Sequence, residues 1–491
     1  MAHEAAFQVI VLGPTGGPRE DKVTGLLVRS TSTHWSSNST IAVDAGTLLA
    51  GIIRTLENSK TECEDGKSVV RTGPFAGLSM PCKTPQANSA HIFRNILGAI
   101  LVTHPHLDHV SGLAINTPML EAGSGPKSLT ALPSIVTAIK NHMFNDIIWP
   151  NLSDEDGGAG LLTYQRLVEG GNPRFGRGDT RGYVRACNGL LTKCLGRVGS
   201  AVFADPLMVP SRTISVDHTE AGMHSPPRSP CLIASNPKEP GWTTVESSAF
   251  FIRDQHTASE IIVFGDVEPD SLSLDPRNKH VWEVAAPKIS NGTLRAIFIE
   301  CSYNDSIDDG SLYGHLCPRH LIAELSVLAT KVVEFQHPNT KAAEKRKRED
   351  SSPDEPEDVS PRSKRSQSVT VGELQLGHRD PSPRVSTRRQ TRSRKKDGDY
   401  IGGSADSGHD EQVDGDPKRA RIPALPENIQ ADGLRSFPLT GLSVYIIHIK
   451  DGLTDGPPPG DQILLELRKQ GEAARLGCEF RLPDPAEGIW I

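Results

Sequence analysis

The sequence predicts an α/β fold that is interrupted by a long segment without a hydrophobic core. Through the first 336 residues, short apolar runs rich in β-branched residues alternate with helical patterns. From about 337 to 430 the composition changes to Ser, Pro, Lys, Arg, Asp and Glu with very few aromatic residues. Such a stretch cannot bury enough apolar area to offset its ordering entropy. We therefore predict one domain made of residues 1–336 and 431–491, with a disordered insertion at 337–430.

The individual elements follow from the same patterns. Strands are predicted at 7–12, 23–28, 41–43, 99–103, 247–252, 260–264, 294–299 and 442–447. Helices are predicted at 93–97, 134–144, 319–333 and 462–469. The strand at 442–447 follows the low-complexity segment, which is why that segment is interpreted as an insertion inside the domain. Residues 155–200 are rich in Gly and Arg and are expected to form a long excursion with little core.

Composition and charge exclude several classes of protein. No stretch approaches the roughly 18 to 20 apolar residues of a membrane span, and the acidic Glu4 with the early Gly13-Pro14 break argues against a signal peptide. The eight cysteines are scattered, as in a reduced intracellular protein. A formal net charge of −7 gives no reason to expect nucleic acid as a partner. We expect a cytoplasmic protein, and a homodimer is compatible with the sequence.

Basic clusters at 345–348 and 392–396 lie within the predicted insertion. They could act as nuclear-localisation or interaction segments, which would add the nucleus as a second compartment. The alternative is a solvated loop of mixed charge, since acidic runs such as 354–358 offset the basic ones.

The segment His104-Pro-His-Leu-Asp-His109 is the strongest chemical signal in the chain. It places four ligand-type side chains within six residues, directly after the apolar strand predicted at 99–103. Imidazole and carboxylate groups are the ligands expected for Zn²⁺, or less often Mn²⁺ or Fe. A tight loop could direct His104 and His106 at one ion and Asp108 and His109 at another. The alternative is a polar loop whose histidines are satisfied by hydrogen bonds.

This segment resembles the HxHxDH signature of the metallo-β-lactamase superfamily. The longer stretch 104–118 resembles that of the class II cyclic-nucleotide phosphodiesterases, with Thr117 where serine is usual. Further similar segments are 12–17, 144–152, 264–270, 299–303 and 314–318. The resemblance implies an αββα sandwich that holds two divalent metal ions, with Zn²⁺ the expected metal, at one edge between the two sheets.

A two-metal site of this kind needs a further histidine for each ion and a bridging carboxylate. Asp266 follows the strand predicted at 260–264 and is the candidate bridge; an Asp in a turn is the alternative. His218 would complete the first ion's ligands, with the nearby His224 as a competitor. His448, at the end of the strand predicted at 442–447, would complete the second; a histidine satisfied by backbone groups is the alternative.

Other candidates surround this set. Glu300 and His315 lie in segments that resemble the phosphodiesterase family and are expected to assist the leaving group or to orient a ligand. Asp44 resembles a structural aspartate of the superfamily at a strand end. Asn145 and Asn151 could bind a base or ribose, or serve in capping and turns.

The glycine-rich segment 13–17 is the one place that suggests a phosphate-binding loop. It lacks the Gly-Lys-[Ser/Thr] ending and a following helix, so a hairpin turn is the better interpretation.

The expected function is hydrolysis of 3′,5′-cyclic AMP, with cyclic GMP as a further substrate, to the 5′-nucleotide. Asp108, Asp266, His315 and Glu300 are the expected catalytic residues. Another binuclear hydrolase of the superfamily is the main alternative, namely an RNase Z-like nuclease, a lactonase or a thioesterase. A nucleotide sensor without turnover and a regulator that acts on nucleic acid through the insertion are the others.

Overall fold

The computed structural model describes residues 5–64, 67–121, 123, 125–203, 242–338 and 437–491. His218, His224 and all but the first two residues of the predicted insertion at 337–430 lie outside these ranges.

Strands form where β-branched and aromatic residues recur, as expected for residues that pack well on a pleated surface. In chain order they are β1 (Phe7–Gly13), β2 (Gly25–Ser30), β3 (Thr40–Val43), β4 (Thr61–Glu64), β5 (Lys67–Val70), β6 (Ser79–Met80), β7 (Leu97–Leu101), β8 (Lys127–Ala131), β9 (Leu162–Arg166), β10 (Val184–Cys187), β11 (Leu190–Phe203), β12 (Trp242–Asp254), β13 (Glu260–Phe264), β14 (Leu294–Glu300), β15 (Ser443–Ile447), β16 (Glu479–Arg481) and β17 (Ile489–Trp490).

Helices connect these strands and cover them. They are α1 (Leu49–Glu57), α2 (Pro85–His91), α3 (Leu107–Ile115), α4 (Pro133–His142), α5 (Asn278–Ser290), α6 (Pro318–Gln336) and α7 (Pro459–Ala473). The predicted helix at 93–97 is a five-residue π-helical turn, Ile92–Ile96, that continues α2.

The first large sheet has the strand order β17-β1-β2-β3-β7-β8-β9. Its first four strands pair antiparallel, and β3, β7, β8 and β9 run parallel. Because parallel strands end at the same edge, the residues after β3 and β7 become neighbours. Asp44 follows β3, and the His104 segment follows β7 three residues after Leu101.

The second large sheet has the order β10-β11-β12-β13-β14-β15-β16. Its last four strands are parallel. Asp266 follows β13, Glu300 ends β14, and His448 follows β15. The topology therefore brings three distant parts of the chain to one edge of this sheet. A small third sheet contains β4, β5 and β6.

The two large sheets pack face to face, and helices cover their outer faces. In β13, Ile261 and Val263 belong to the core shared with the first sheet, whereas Ile262 and Phe264 pack with residues of α5 and α6. This alternation is what a strand covered on both faces requires. Buried residues of α1, α3 and α4 join the first core, as do those of the π-helical turn after α2, and those of α5 to α7 join the second. The predicted αββα sandwich is confirmed.

One expectation about the fold is wrong. Residues 155–200 supply β9 to the first sheet and β10 and much of β11 to the second. Leu162, Leu190 and Cys194 are buried in the core between the sheets. The many glycines and arginines of this region occupy the connections between strands, which hid the short apolar runs from a composition-based prediction.

The chain after 436 returns to the same sandwich. β15 pairs in parallel with β14, from Ala296 opposite Ser443 to Glu300 opposite Ile447. Both strands are mainly apolar and are buried on two faces, so they share one core although about 140 residues separate them in the sequence. Within the described ranges, no helix combines the length and the apolar character needed to cross a membrane.

Candidate metal centre

The His104 segment is divided between a loop and a helix. His104 and His106 lie on the loop that leaves β7, and α3 begins at Leu107, so Asp108 and His109 lie in its first turn. A carboxylate in this position interacts favourably with the positive end of the helix dipole. The expectation of a loop throughout was therefore wrong for its second half. The helix fixes the direction in which Asp108 and His109 point.

Asp266 lies at the centre of the cluster, and its two oxygens face different partners. Oδ2 lies 3.2 Å from His104 Nε2 and 4.0 Å from His106 Nδ1. Oδ1 lies 3.1 Å from His109 Nε2 and 3.3 Å from His448 Nε2. The structure thus brings together the two sets of histidines that the sequence analysis assigned to two ions.

One further distance is found within each set. His104 Nε2 and His106 Nδ1 are 3.1 Å apart, and Asp108 Oδ2 lies 3.6 Å from His448 Nε2. His218 falls outside the described residues, so its predicted place beside His104 and His106 stays a prediction.

Asp44 and Thr103 orient two of the histidines. Asp44 accepts hydrogen bonds from the Thr103 backbone N–H and hydroxyl, each at 2.8 Å, and from His109 Nδ1 at 2.7 Å. Because the single hydroxyl proton of Thr103 goes to Asp44, its oxygen accepts from His104 Nδ1 at 3.0 Å. Both rings therefore direct Nδ1–H away from Asp266 and turn Nε2 toward it.

His448 is held by a separate contact. Its Nδ1 lies 2.6 Å from Thr24 Oγ1, whose own proton is directed at the Thr15 carbonyl, so the histidine donates. The backbone of His448 is left-handed, with φ of 58°, a conformation that costs of order 1–3 kcal/mol in a residue other than glycine. Asp44 has the same unusual backbone, with φ of 57°.

Glu300 and His315 form a buried pair beside this cluster. His315 Nδ1 lies 3.1 Å from both oxygens of Glu300 and 3.8 Å from Asp266 Oδ2. Glu300 also accepts the Val267 N–H at 2.5 Å, and its Oε2 lies 2.6 Å from the Ser302 hydroxyl. The charged pair is thereby fixed against the end of β13, with His315 next to the central carboxylate.

The electrostatics favour the metal-binding protonation state at His106, His448 and Asp266. His109 differs, because the charges of Asp266 and Asp44 outweigh its burial and raise the pKa of its imidazole well above the usual range. Burial, followed by the neighbouring His104, lowers the pKa of His106 to about 4. Burial also holds the pKa of His448 well below its usual range. For Asp266 burial acts in the opposite sense, but His448, His104 and His109 outweigh it and keep the pKa of the carboxyl well below its ordinary value. Neutral imidazoles around an ionised carboxylate are what metal binding requires.

The buried atoms of this cluster lack hydrogen bonds that would explain their placement. His109 Nε2, Asp266 Oδ1 and His448 Nε2 are fully buried and have no hydrogen-bond partner among the residues that the structure describes. Leaving such groups unsatisfied is costly, so their convergence needs another partner. Their donor set of imidazole and carboxylate fits divalent metal binding.

The structure also shows the surroundings of two asparagines and of the glycine-rich segment named in the sequence analysis. Asn145 Oδ1 accepts the N–H groups of Ile147 and Ile148, and Asn151 Oδ1 accepts that of Ser153. Both asparagines therefore serve turns. The segment 13–17 begins the connection, residues 14–24, that joins the antiparallel strands β1 and β2 as a hairpin.

Three functional neighbours were missed by the sequence analysis. Thr24 and Thr103 hold the rings of His448 and His104, and Lys450 lies 3.4 Å from Asp108 Oδ2. The sequence could have indicated Lys450, because it lies two residues after the predicted site residue His448. Nothing in the sequence indicated that Thr24 contacts His448, which lies 424 residues away.

Comparison with known proteins agrees with this geometry. The family model described as cAMP phosphodiesterases class-II matches residues 8–166 and 231–341, more than half of the chain. The gap between the two matched ranges contains His218, so the match does not bear on that residue.

Similar proteins include a probable 3′,5′-cyclic-nucleotide phosphodiesterase of Yersinia pestis, 29% identical over 327 residues, which cover 66% of this chain and 73% of that protein. A 3′,5′-cyclic-nucleotide phosphodiesterase of Schizosaccharomyces pombe is 25% identical over 332 residues, which cover 68% and 78%.

The crystal structure of unliganded yeast PDE1 superposes with a TM-score of 0.58 at 19% identity. It covers 99% of this chain and 100% of its own, and it shows that the two share a fold. The extent of the family match, together with the segments that carry it, leads to one conclusion: this chain belongs to the class-II cAMP phosphodiesterases.

Proposed function

We propose that this protein hydrolyses 3′,5′-cyclic AMP to 5′-AMP. The observation that carries the proposal is the buried cluster centred on Asp266, found in a chain of the class-II family. Similar proteins named as cyclic-nucleotide phosphodiesterases in a bacterium and a yeast support the same substrate class. Cyclic GMP is proposed as a second substrate of the site.

Two divalent ions, with Zn²⁺ as the proposed metal, would be held by this cluster. His104 and His106, with His218, are the proposed ligands of one ion, and Asp108, His109 and His448 those of the other. Asp266 would bridge the two, which is supported by the different partners of its two oxygens. Such a pair of ions, when bound, supplies a nucleophile at neutral pH and positive charge opposite the phosphoryl oxygens.

His315 is the proposed proton donor to the departing 3′ oxygen. Burial opposes its protonation, but the negative charges of Glu300 and Asp266 outweigh burial and raise the pKa of the imidazole. Glu300 accepts a hydrogen bond from Nδ1–H, which leaves Nε2–H of the imidazolium to give its proton to the 3′ oxygen. Glu300 thus keeps the donor charged and oriented.

The remaining proposals concern the whole protein. We propose one catalytic domain of residues 1–336 and 431–491, supported by the pairing of β15 with β14. The disorder of 337–430, a homodimer, a cytoplasmic location with a nuclear share, and the absence of a nucleic-acid partner stay predictions.

Metal analysis and a turnover assay on one preparation test the proposed function. We expect about two equivalents of a divalent transition metal and hydrolysis of cyclic AMP. Chelation should abolish turnover, and restoring the metal should recover it. Asp266→Ala should reduce turnover by at least three orders of magnitude, because it removes the carboxylate that both sets of histidines face.

The same preparation distinguishes the alternatives. An acyl thioester, a lactone and a tRNA precursor are assayed beside cyclic AMP. Turnover of one of these at a higher kcat/KM than cyclic AMP would replace the proposal by another metal-dependent hydrolysis. Protein without metal, or cyclic AMP hydrolysis that survives Asp266→Ala, would refute it.

A further inference from the structure

Lys450 lies on the side of the cluster that is open to solvent. The side chains of His104, His109, Asp266 and His448 are at most 3% exposed. In contrast, His106 is 36% exposed, Asp108 24% and Lys450 25%. A substrate must therefore approach past the three partly exposed residues, and Lys450 contributes a positive charge to that approach.

The ammonium group of Lys450 is held in place before any substrate arrives. Its Nζ donates to the Gly16 carbonyl at 2.6 Å and lies 3.4 Å from Asp108 Oδ2. The backbone N–H of Lys450 donates to the Ser302 carbonyl at 3.0 Å, and the N–H of Asp451 donates to the Gly17 carbonyl at 3.1 Å. The side chain and its backbone are thus both anchored at the edge of the site.

The contact between Lys450 and Asp108 is too long to explain why the ammonium group is held at this position. A charge-assisted hydrogen bond between an ammonium and a carboxylate is normally about 2.7–2.9 Å long, and the distance here is 3.4 Å. An ammonium has three donors, and only the Gly16 carbonyl receives one at short range among the described residues. The group retains capacity for a further anionic partner at the mouth of the site.

We propose that Lys450 binds a non-bridging phosphoryl oxygen of the substrate and of the 5′-nucleotide product. This rests on the proposed function, which brings a phosphodiester to this mouth. Hydrolysis converts a phosphodiester with one negative charge into a phosphomonoester with nearly two. The contact therefore becomes stronger as charge develops on the phosphoryl group, as is required of an electrostatic contribution to catalysis. The competing role is structural, in which Lys450 only holds Asp108.

The test compares Lys450→Met, Lys450→Arg and the control Lys469→Met, which changes an exposed lysine of α7. Each variant is loaded with metal, its metal content is measured, and its affinities for 5′-AMP and adenosine are determined by calorimetry. The two ligands share base and ribose, but only 5′-AMP carries the phosphate. Turnover of cyclic AMP is measured on the same samples.

We expect Lys450→Met to weaken 5′-AMP binding by about tenfold or more, and to leave adenosine binding and metal content unchanged. Lys450→Arg should recover most of the affinity, and Lys469→Met should match the wild type. Unchanged 5′-AMP affinity, an equal loss for adenosine, or a loss of metal in Lys450→Met would each overturn the proposal; the last would indicate the structural role. Wild-type protein that neither binds 5′-AMP nor hydrolyses cyclic AMP would instead refute the proposed function, and this inference with it.

Discussion

At the scale of single residues, the buried carboxylate of Asp44 sets the orientation of the proposed ligands. It receives three hydrogen bonds, from the Thr103 backbone, the Thr103 hydroxyl and His109. Through Thr103 it also determines which nitrogen of His104 faces Asp266. Partners of this kind raise the basicity of a ligand and fix its tautomer. Asp44 would not bind an ion itself, but it orients one histidine of each proposed set of metal ligands.

We predict that Asp44→Asn weakens metal binding by about 10- to 100-fold. The amide replaces one acceptor oxygen by an N–H₂ donor, so it cannot accept all three hydrogen bonds from Thr103 and His109. The proton on His109 Nδ1 also loses its ionic partner. Competition with a graded series of chelators measures the change.

The control for this prediction is Asp179→Asn, which makes the same change at an exposed position. Wild-type metal affinity in Asp44→Asn would show that the ring of His109 is oriented by packing alone.

At the scale of elements, the connection between β1 and β2 is joined to the end of β15. The Gly16 N–H donates to the Ile449 carbonyl at 3.1 Å, and Thr15 bridges both Val23 and Ile449. This connection leaves the first sheet and β15 belongs to the second, so the two sheets are linked beside the site. It also brings the backbone of Gly16 against the ring of His448, where a Cβ atom would lie 2.5 Å from Nε2.

We predict that Gly16→Ala lowers kcat for cyclic AMP by about 10- to 100-fold, because the added methyl group displaces the imidazole of His448 and small misplacements in a site have effects of this size. Steady-state kinetics and metal analysis measure it.

The matched control is Gly310→Ala, since a Cβ atom there meets no other atom within 4 Å. Equal activity of the Gly16 and Gly310 variants would mean that the loop yields and that His448 is not fixed by it.

Eight of the described strands were predictable, because a local run of apolar residues indicates that a segment is buried. The prediction for 260–264 matches β13 in full, and that for 294–299 misses only the last residue of β14. The start of α3 was not predicted, because Leu107 to His109 was interpreted through its ligands instead of its helical continuation. The strands within 155–200 were missed because composition averaged over a long window conceals runs of four or five apolar residues.

At the scale of the whole molecule, the site is assembled from both sheets and from both sides of the low-complexity segment. Asp44 and His104 come from the first sheet, and Asp266, Glu300 and His448 from the second. The last of these lies more than a hundred residues after the others. Packing of the two sheets is therefore a condition for the cluster to exist.

We predict that replacing residues 345–425 by a short Gly-Ser linker leaves kcat/KM for cyclic AMP within about threefold of the wild-type value. Closing a loop costs little more when the loop is long, so shortening it has a small effect on stability. The kinetics are compared with those of the full chain, and thermal unfolding serves as a check on folding. A loss of activity in a folded protein would show that the segment takes part in the site.

The sequence by itself determined the types of ligand and the strands that carry them. An apolar run precedes each of the three ligand segments, namely His104 to His109, Asp266 and His448. The type of a side chain and the apolar run before it are both local properties of the sequence. Only the tertiary structure decided how they meet, because the distance between Asp266 and His448 depends on which strands pair in parallel and on how two sheets face each other. The same long-range packing sets the tautomers through Asp44 and Thr24, brings Gly16 against His448, and places Lys450 at the open side. Hydrophobic patterns record the burial of a segment, whereas a site depends on the partner of that segment in the folded chain.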